Sequence, residues 1–139
     1  MAAINTRQLV LLLDDDNVTA QVSTCAVRSG ETESDFVSFA DAAAGGGRDY
    51  TLALTFVQDT AVDTVWDRVW SHAGEEVDLI IKPYGNAVAS ASQPHFAATA
   101  VISEPDGDLL GGEADASPTN KFTVEVEWAL TGKPTKVTV

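Results

Sequence analysis

The chain has 139 residues, of which 45% are hydrophobic and 21% charged, which predicts one folded domain over residues 1–139 and excludes global disorder. Twenty-one acidic residues against eight basic ones leave a formal charge of −13, and a field of this sign disfavours stable nucleic-acid binding because it repels phosphates. The single cysteine, Cys25, excludes an intrachain disulfide and a cysteine-rich zinc site.

The N-terminal region predicts strands but no export signal. Its apolar run, residues 9–13, is shorter than a signal peptide requires, and no apolar run in the sequence is long enough to cross a bilayer. We therefore expect a protein without a secretory address. The segments QLVLLL and NVTAQVSTCAV are expected to form a β-hairpin joined through residues 14–17.

A period of two dominates the rest of the chain. In KFTVEVEW, residues 121–128, it places Phe122, Val124, Val126 and Trp128 on one dry face, and Lys121, Thr123, Glu125 and Glu127 on a polar face. Further strands are predicted in DYTLALTF (49–56), VDLIIK (77–82), HFAATAVI (95–102) and PTKVTV (134–139).

One segment, residues 62–73, has a helical period instead. Its apolar residues are spaced 3, 1, 3, 1, 3: Val62, Val65, Trp66, Val69, Trp70 and Ala73. Thr60 and Asp63 resemble a capping box, and Gly74 supplies a stop. Trp66 and Trp70 are therefore expected to be the core contacts of the helix. Together the patterns predict a mainly β fold, a β-sandwich or barrel of about six or seven strands with one flanking helix.

Two long connections, residues 28–48 and 103–120, require an explanation in so small a domain. The first combines an apolar anchor with a triple glycine, which favours a segment that is mobile alone and orders on docking between copies. Its candidate assembly residues are Phe36, Val37, Phe39, Gly45, Gly46 and Gly47.

The second connection contains the acidic stretch EPDGDLLGGEAD, residues 104–115. Counted from Asp106 as an EF-hand loop, it has Leu110 at position 5 and Ser117 at position 12, where the ion needs oxygen ligands. A solvated loop or a subunit contact is the better interpretation. The stretch AGGGR lacks the GK[ST] ending of a phosphate-binding loop and precedes a strand.

The remaining reactive side chains do not form a recognisable site in the sequence. His72 and His95 are isolated, Cys25 has no neighbouring base and is expected to be buried, and the three tryptophans lie on apolar faces. We expect no catalytic residues, no cofactor and no metal ion, and therefore not an enzyme.

The run DYTLALTFVQDTAVDTVWDRVWSHAGEEVDLIIKPYGN, residues 49–86, joins a strand, an Asp/Thr-rich turn, a helix with two tryptophans and an acidic strand. It resembles the major tail (tail tube) protein of long-tailed phages. The C-terminal run from PHFAATAV to KPTKVTV, residues 94–139, resembles the same family, particularly its versions from actinobacterial phages and prophages, and FVSFADAAAGGGRDYTL agrees with it. The resemblance covers roughly residues 18–139.

The resemblance implies a β-sandwich whose copies form hexameric rings, which stack into a tube that conducts DNA during ejection. The implied partners are further copies of the chain and other tail proteins, such as the tape measure and the terminator. DNA would pass through the lumen without specific binding. The protein would be made in the host cytoplasm and reside in the virion tail. Glu125 and Glu127 are then candidates for lumen charges.

Two alternatives stay open. One is a related tail terminator or a secretion-system tube protein, which would differ in forming closed rings or a contractile-type inner tube. The other is a carbohydrate-binding β-sandwich, in which Trp66, Trp70 or Trp128 would be exposed and stack on sugars.

Overall fold

The fold is a β-sandwich, which a computed structural model describes for residues 3–31, 36, 38–43 and 48–138. The described residues form eight strands: β1 (Val10–Leu13), β2 (Asp16–Asn17), β3 (Val22–Glu31), β4 (Arg48–Val57), β5 (Glu76–Lys82), β6 (His95–Val101), β7 (Thr123–Leu130) and β8 (Thr135–Val137). Their helices are α1 (Phe39–Ala43) and α2 (Val65–His72). The predicted mainly β class with a flanking helix is confirmed.

All strand pairs are antiparallel, in the order β2-β1-β5-β6-β7-β4-β3, and β8 pairs with the first half of β6. The contact between β6 and β7 is short, because only Ala100 and Val101 pair with Leu130 and Ala129. The sheet divides at this point into two layers, β2-β1-β5-β6-β8 and β7-β4-β3. Both layers contribute buried side chains to one core, which is the arrangement of a sandwich.

The strand β7 shows the predicted alternation of buried and exposed side chains. Val124, Val126, Trp128 and Leu130 are buried, and the residues between them are exposed. Phe122 was expected on the buried face, but it is 46% exposed. The strand begins only at Thr123, and the ring of Phe122 lies instead against Gly112 in the preceding loop.

The expected N-terminal hairpin is only partly correct. A tight turn at Asp14 and Asp15, both with positive φ, joins β1 to the two-residue β2. Beyond β2, Val18 N–H donates to the Leu11 carbonyl and Thr19 Oγ1 accepts from Leu11 N–H. A short 3-10 turn then carries the chain to the other layer, where β3 pairs with β4 and not with β1.

The helix α2 begins three residues later than the spacing predicted. Its N-cap is Thr64, whose Oγ1 accepts from Asp67 N–H at 3.2 Å, while Asp67 Oδ2 accepts from Asp63 N–H at 3.2 Å. The capping interaction therefore lies one turn after the predicted Thr60–Asp63 pair. The predicted stop is confirmed, since Gly74 follows the helix with a φ of +93°.

The two tryptophans of α2 differ in burial. Val65, Trp66 and Val69 are buried, so Trp66 is confirmed as a core contact. Trp70 is 53% exposed, so its assignment as a core contact is wrong. It stacks on the solvent side of Trp66, with 5.3 Å between ring centroids.

Arg68 is the charged residue that α2 buries. Its guanidinium forms ion pairs with Asp16 at 2.6 Å and Asp14 at 3.4 Å, both in the β1–β2 turn. The arginine side chain is 10% exposed, while the two carboxylates remain about half exposed. These ion pairs therefore hold the β1–β2 turn against α2, while the two carboxylates remain accessible to solvent.

We expect Arg68→Ala to lower the free energy of unfolding by roughly 1–3 kcal/mol, because it removes charge-assisted hydrogen bonds of a buried guanidinium. Arg28→Ala is the matched control, since its ion pair with Glu127 is exposed at both ends and such pairs contribute about 0–1 kcal/mol. Urea unfolding of both variants measures the difference. Equal losses of unfolding free energy in the two variants would show that the ion pairs of Arg68 stabilise the fold no more than the exposed pair of Arg28.

Candidate assembly surfaces

The outward face of the β7-β4-β3 layer is polar and acidic. Glu125 and Glu127 project there, because their neighbours Val124, Val126 and Trp128 occupy the buried face. The segment after β6 runs alongside: Ser103 Oγ donates to the Glu127 carbonyl at 3.2 Å. The result is an open groove of about 720 Å³.

Four carboxylates line this groove: Glu104, Asp106, Glu125 and Glu127. Arg28, from β3, also lines it and pairs with Glu127 at 2.6 Å. In the described part of the chain, no ion pair involves the other three carboxylates. The groove therefore keeps a negative charge, and Glu125 is one of the three lining carboxylates without a described ion pair.

The alternation in the sequence predicted that Glu125 and Glu127 share one face, but it did not predict which other residues line the groove. Arg28, Glu104 and Asp106 reach it through strand pairing and the course of the chain after β6, which have no local sequence signal. The spacing of two between Glu125 and Glu127 was the only local indication of this surface.

The strand β3 is a long edge of the sheet. Nine of its ten residues pair with β4 on one side, with a bulge at Ser23, and no described strand pairs with its other side. From Val27 to Glu31 the side chains are exposed, and Val27 itself is 39% exposed. An edge of this length offers backbone N–H and C=O groups to a strand of another molecule.

The predicted assembly loop is described in part. Phe36 is 77% exposed and Phe39, at the start of α1, is 98% exposed. Val37, Gly45, Gly46 and Gly47 lie outside the described residues. The structure thus leaves the two aromatic side chains of the segment outside the core of their own chain.

The acidic loop, residues 103–120, is fastened to the end of β4 and to α2. Trp66 Nε1–H donates to the Leu109 carbonyl at 2.8 Å. The Gln58 side chain bonds Gly111 twice, accepting from its N–H at 2.7 Å and donating to its carbonyl at 3.0 Å. Beside these contacts an apolar patch remains at the surface: Trp70, Leu110 and Phe122 are 53%, 65% and 46% exposed.

A turn at Asp115 follows in the same loop. Its carboxylate accepts from Ser117 N–H at 2.8 Å and from Asn120 Nδ2 at 2.6 Å. The Ser117 backbone bond, followed by the Asn120 bond, holds the pKa of the Asp115 carboxyl below its usual range. These two hydrogen bonds show that the Asp115 side chain stabilises a turn within the loop.

The two histidines lie apart in the structure. His72 contacts Glu75, three residues later, at 2.5 Å, and His95 Nε2–H donates to the Asn86 carbonyl at 2.9 Å. Among the residues described, no group of three His, Cys, Asp or Glu side chains is placed to hold a metal ion. We therefore assign neither histidine a ligand role.

Cys25, which the sequence predicted to be buried, is only partly buried and packs against the core. Burial raises the pKa of its thiol to about 11. Since the thiolate is the reactive form, we expect iodoacetamide to alkylate Cys25 at pH 8 more than about a hundredfold more slowly than a free thiol. The rate should increase up to pH 11, and a plateau near pH 9 would contradict this burial.

Comparisons with known proteins add no family assignment. No protein-family model matches the sequence, and a search of curated proteins finds no similar sequence. Within the described ranges, no helix has the length and apolar character needed to cross a membrane.

Proposed function

We propose that the protein is a structural subunit of the tail tube of a long-tailed phage. In this role, rings of copies stack into a hollow tube that conducts DNA, and the protein performs no catalysis. The observation that carries the proposal is an acidic sheet face that ends at the ten-residue strand β3, whose outer edge pairs with no strand in the described part of the chain. The resemblance of residues 18–139 to tail tube proteins supports the same function.

The outer edge of β3 and the acidic face have different roles in such a tube. Pairing β3 with a strand of the next copy satisfies its backbone groups and continues the sheet around a ring. The groove face with Glu125 then lines the lumen. A negative lumen lets DNA slide, because it offers few cations for the phosphates to bind by counterion release.

Negative-stain electron microscopy of the concentrated protein tests the proposal. We expect hollow, open-ended tubes of stacked rings. Single closed rings that do not stack would favour a tail terminator instead. A protein that stays monomeric at every concentration, including in the presence of crowding agents, would contradict a tube subunit.

We expect Glu125→Lys to slow genome delivery by phage at low ionic strength. The substitution adds a cation to the lumen in every copy, and the resulting phosphate contacts weaken as salt increases. Tails should assemble normally, since an exposed charge changes stability by about half a kcal/mol or less.

Glu113→Lys is the control for this experiment, because it makes the same charge change in the loop 103–120 and outside the groove. Intact Glu125→Lys tails that deliver DNA at the parental rate would remove Glu125 from the lumen. Tails that fail to form would place the residue at a contact between copies.

The exposure of Trp70 favours a second candidate, a carbohydrate-binding module. A half-exposed indole supported by the stacked Trp66 ring is a possible platform for a sugar. Titration with oligosaccharides while recording tryptophan fluorescence distinguishes the two functions. A saturable change that Trp70→Ala abolishes would support sugar binding, and a tube subunit should show none.

A further inference from the structure

An apolar pocket opens between the two layers of the sandwich, beside the inner face of the β3–β4 pair. Its volume is about 310 Å³. Its apolar lining comes from both layers and from the turn before β8: Leu9, Cys25, Val27, Tyr50, Phe96 and Pro134. An apolar cavity of about 150 Å³ is sufficient to hold benzene, so this pocket can admit a phenyl ring together with part of its backbone.

We propose that the pocket receives the Phe39 side chain of a second copy of this chain. Phe39 is 98% exposed, so its ring is available for burial elsewhere. This contact rests on the proposed self-assembly, and it identifies the site on one copy that would accept the aromatic side chain of α1 from another copy. The contact is heterologous, because the segment of one copy enters the pocket of the next, and such contacts propagate into rings or open polymers.

Charge complementarity supports this occupant. Lys133 lines the pocket, and Arg48 donates to Ser29 Oγ, also in the lining, at 3.0 and 3.1 Å. Lys136 pairs with Phe96 and therefore lies on the same face of the sheet. The one carboxylate on this face of the β3–β4 pair is Glu31, opposite Arg48.

The donor segment has the opposite charge. Residues 32–41, TESDFVSFAD, contain three acidic residues and no basic residue. In a chain with a formal charge of −13, a pocket mouth with three cations and one carboxylate is a favourable place for such a segment to dock.

The other exposed apolar surface fits the segment less well. The patch of Trp70, Leu110 and Phe122 adjoins the acidic stretch 104–115, and Asp67 lies on the helix beside it. Like charges would therefore oppose docking of an acidic segment there. These two described surfaces therefore differ in the sign of the charge around them, and of the two the pocket between the layers is complementary to the acidic segment.

The native thiol in the pocket allows a direct test with two different chains. A donor chain carries Phe39→Cys and Cys25→Ala, and the acceptor is the wild-type chain, distinguished by mass. A disulfide between donor and acceptor can form only between two copies. We expect diamide at pH 8.5 to link position 39 of the donor to Cys25 of the acceptor, as identified by peptide mapping, at least tenfold faster than for a control donor. The control carries Val62→Cys and Cys25→Ala, because Val62 is 82% exposed and is not one of the residues that line the pocket.

A second measurement does not depend on disulfide geometry. Iodoacetamide should alkylate Cys25 more slowly in assembled wild-type protein than in diluted protein. Phe39→Asp should remove this protection, because a carboxylate, unlike the apolar side chain of a cysteine, is costly to bury in an apolar pocket. Electron microscopy of the same samples separates the two proposals. Tubes without the 39–25 link and without protection would overturn the pocket inference and leave the tail-tube function standing. Linked and protected copies without tubes would support the pocket and contradict the tail tube. Absence of the link, the protection and the tubes would overturn both proposals. Protection that persists unchanged on dilution would overturn the pocket inference alone, since the segment would then occupy the pocket of its own chain.

Discussion

Trp66→Ala is expected to lower the free energy of unfolding by roughly 3–5 kcal/mol, as truncation of a large core side chain does. The residue is 7% exposed, packs in the core beside Val65 and Val69, and donates its indole N–H to the Leu109 carbonyl at 2.8 Å. The substitution therefore creates a cavity under α2 and also releases the acidic loop from the helix.

Trp70→Ala is the matched comparison, one helical turn away on the same helix. It is 53% exposed, so truncation loses the stacking on Trp66 and part of its burial, about 0.5–1.5 kcal/mol. Urea unfolding followed by far-UV circular dichroism measures both variants without relying on tryptophan emission. A loss for Trp70→Ala as large as that for Trp66→Ala would mean that the stacked pair is buried as a unit in solution.

Trp66→Phe separates the cavity from the hydrogen bond. It keeps an aromatic ring in the core but removes the donor to the Leu109 carbonyl. We expect this variant to retain most of the stability, and amide hydrogen exchange in residues 103–120 to become faster. Unchanged exchange there would show that the Gln58 contacts with Gly111 hold the loop alone.

The two tryptophans show where sequence periodicity stops being informative. The spacing of apolar residues from Val62 to Ala73 predicts a helix correctly, but it does not define where the helix starts. Thr60 and Thr64 are both capping residues by type, and only the contacts of the folded chain select Thr64. With Thr64 as the N-cap, Val62 lies outside the helix. Packing of the helix against the rest of the sandwich then buries Trp66 and leaves Trp70 at the surface.

Strand identity was predictable, whereas strand partnership was not. Alternation placed Glu125 and Glu127 on an exposed face of β7, because burial of one face of a strand is a local property. The pairing of β3 with β4, and the groove with Arg28 and Asp106, depend on contacts between residues far apart in sequence. The apolar pocket around Cys25 likewise exists only once both layers are assembled.

Replacing residues 32–47 by Asn-Gly is expected to leave a folded protein that no longer forms tubes. Glu31 and Arg48 are directly paired at the ends of β3 and β4, so a two-residue turn can connect them. The replacement removes Phe36 and Phe39 together with the glycine run, and with them the proposed contact between copies.

The shortened chain should be at least as stable as the parent. Shortening the connection from sixteen residues (32–47) to two is three halvings, which lowers the entropic cost of closing it by about 1.8 kcal/mol. A loss of assembly in this variant is therefore not a consequence of unfolding. Circular dichroism and thermal unfolding establish the fold, and electron microscopy at the concentration where the parent polymerises establishes the assembly.

The double variant Phe36→Ser, Phe39→Ser keeps the length of the connection and removes only its aromatic rings. It should reproduce the assembly defect if burial of these rings drives docking, because two rings that are 77% and 98% exposed in one copy are the apolar surface that the segment offers. Val88→Ser is the control, since Val88 is 75% exposed in the connection between β5 and β6 and should be dispensable. Normal tubes from the Asn-Gly variant would remove the segment from assembly and leave the β3 edge as the contact that joins copies.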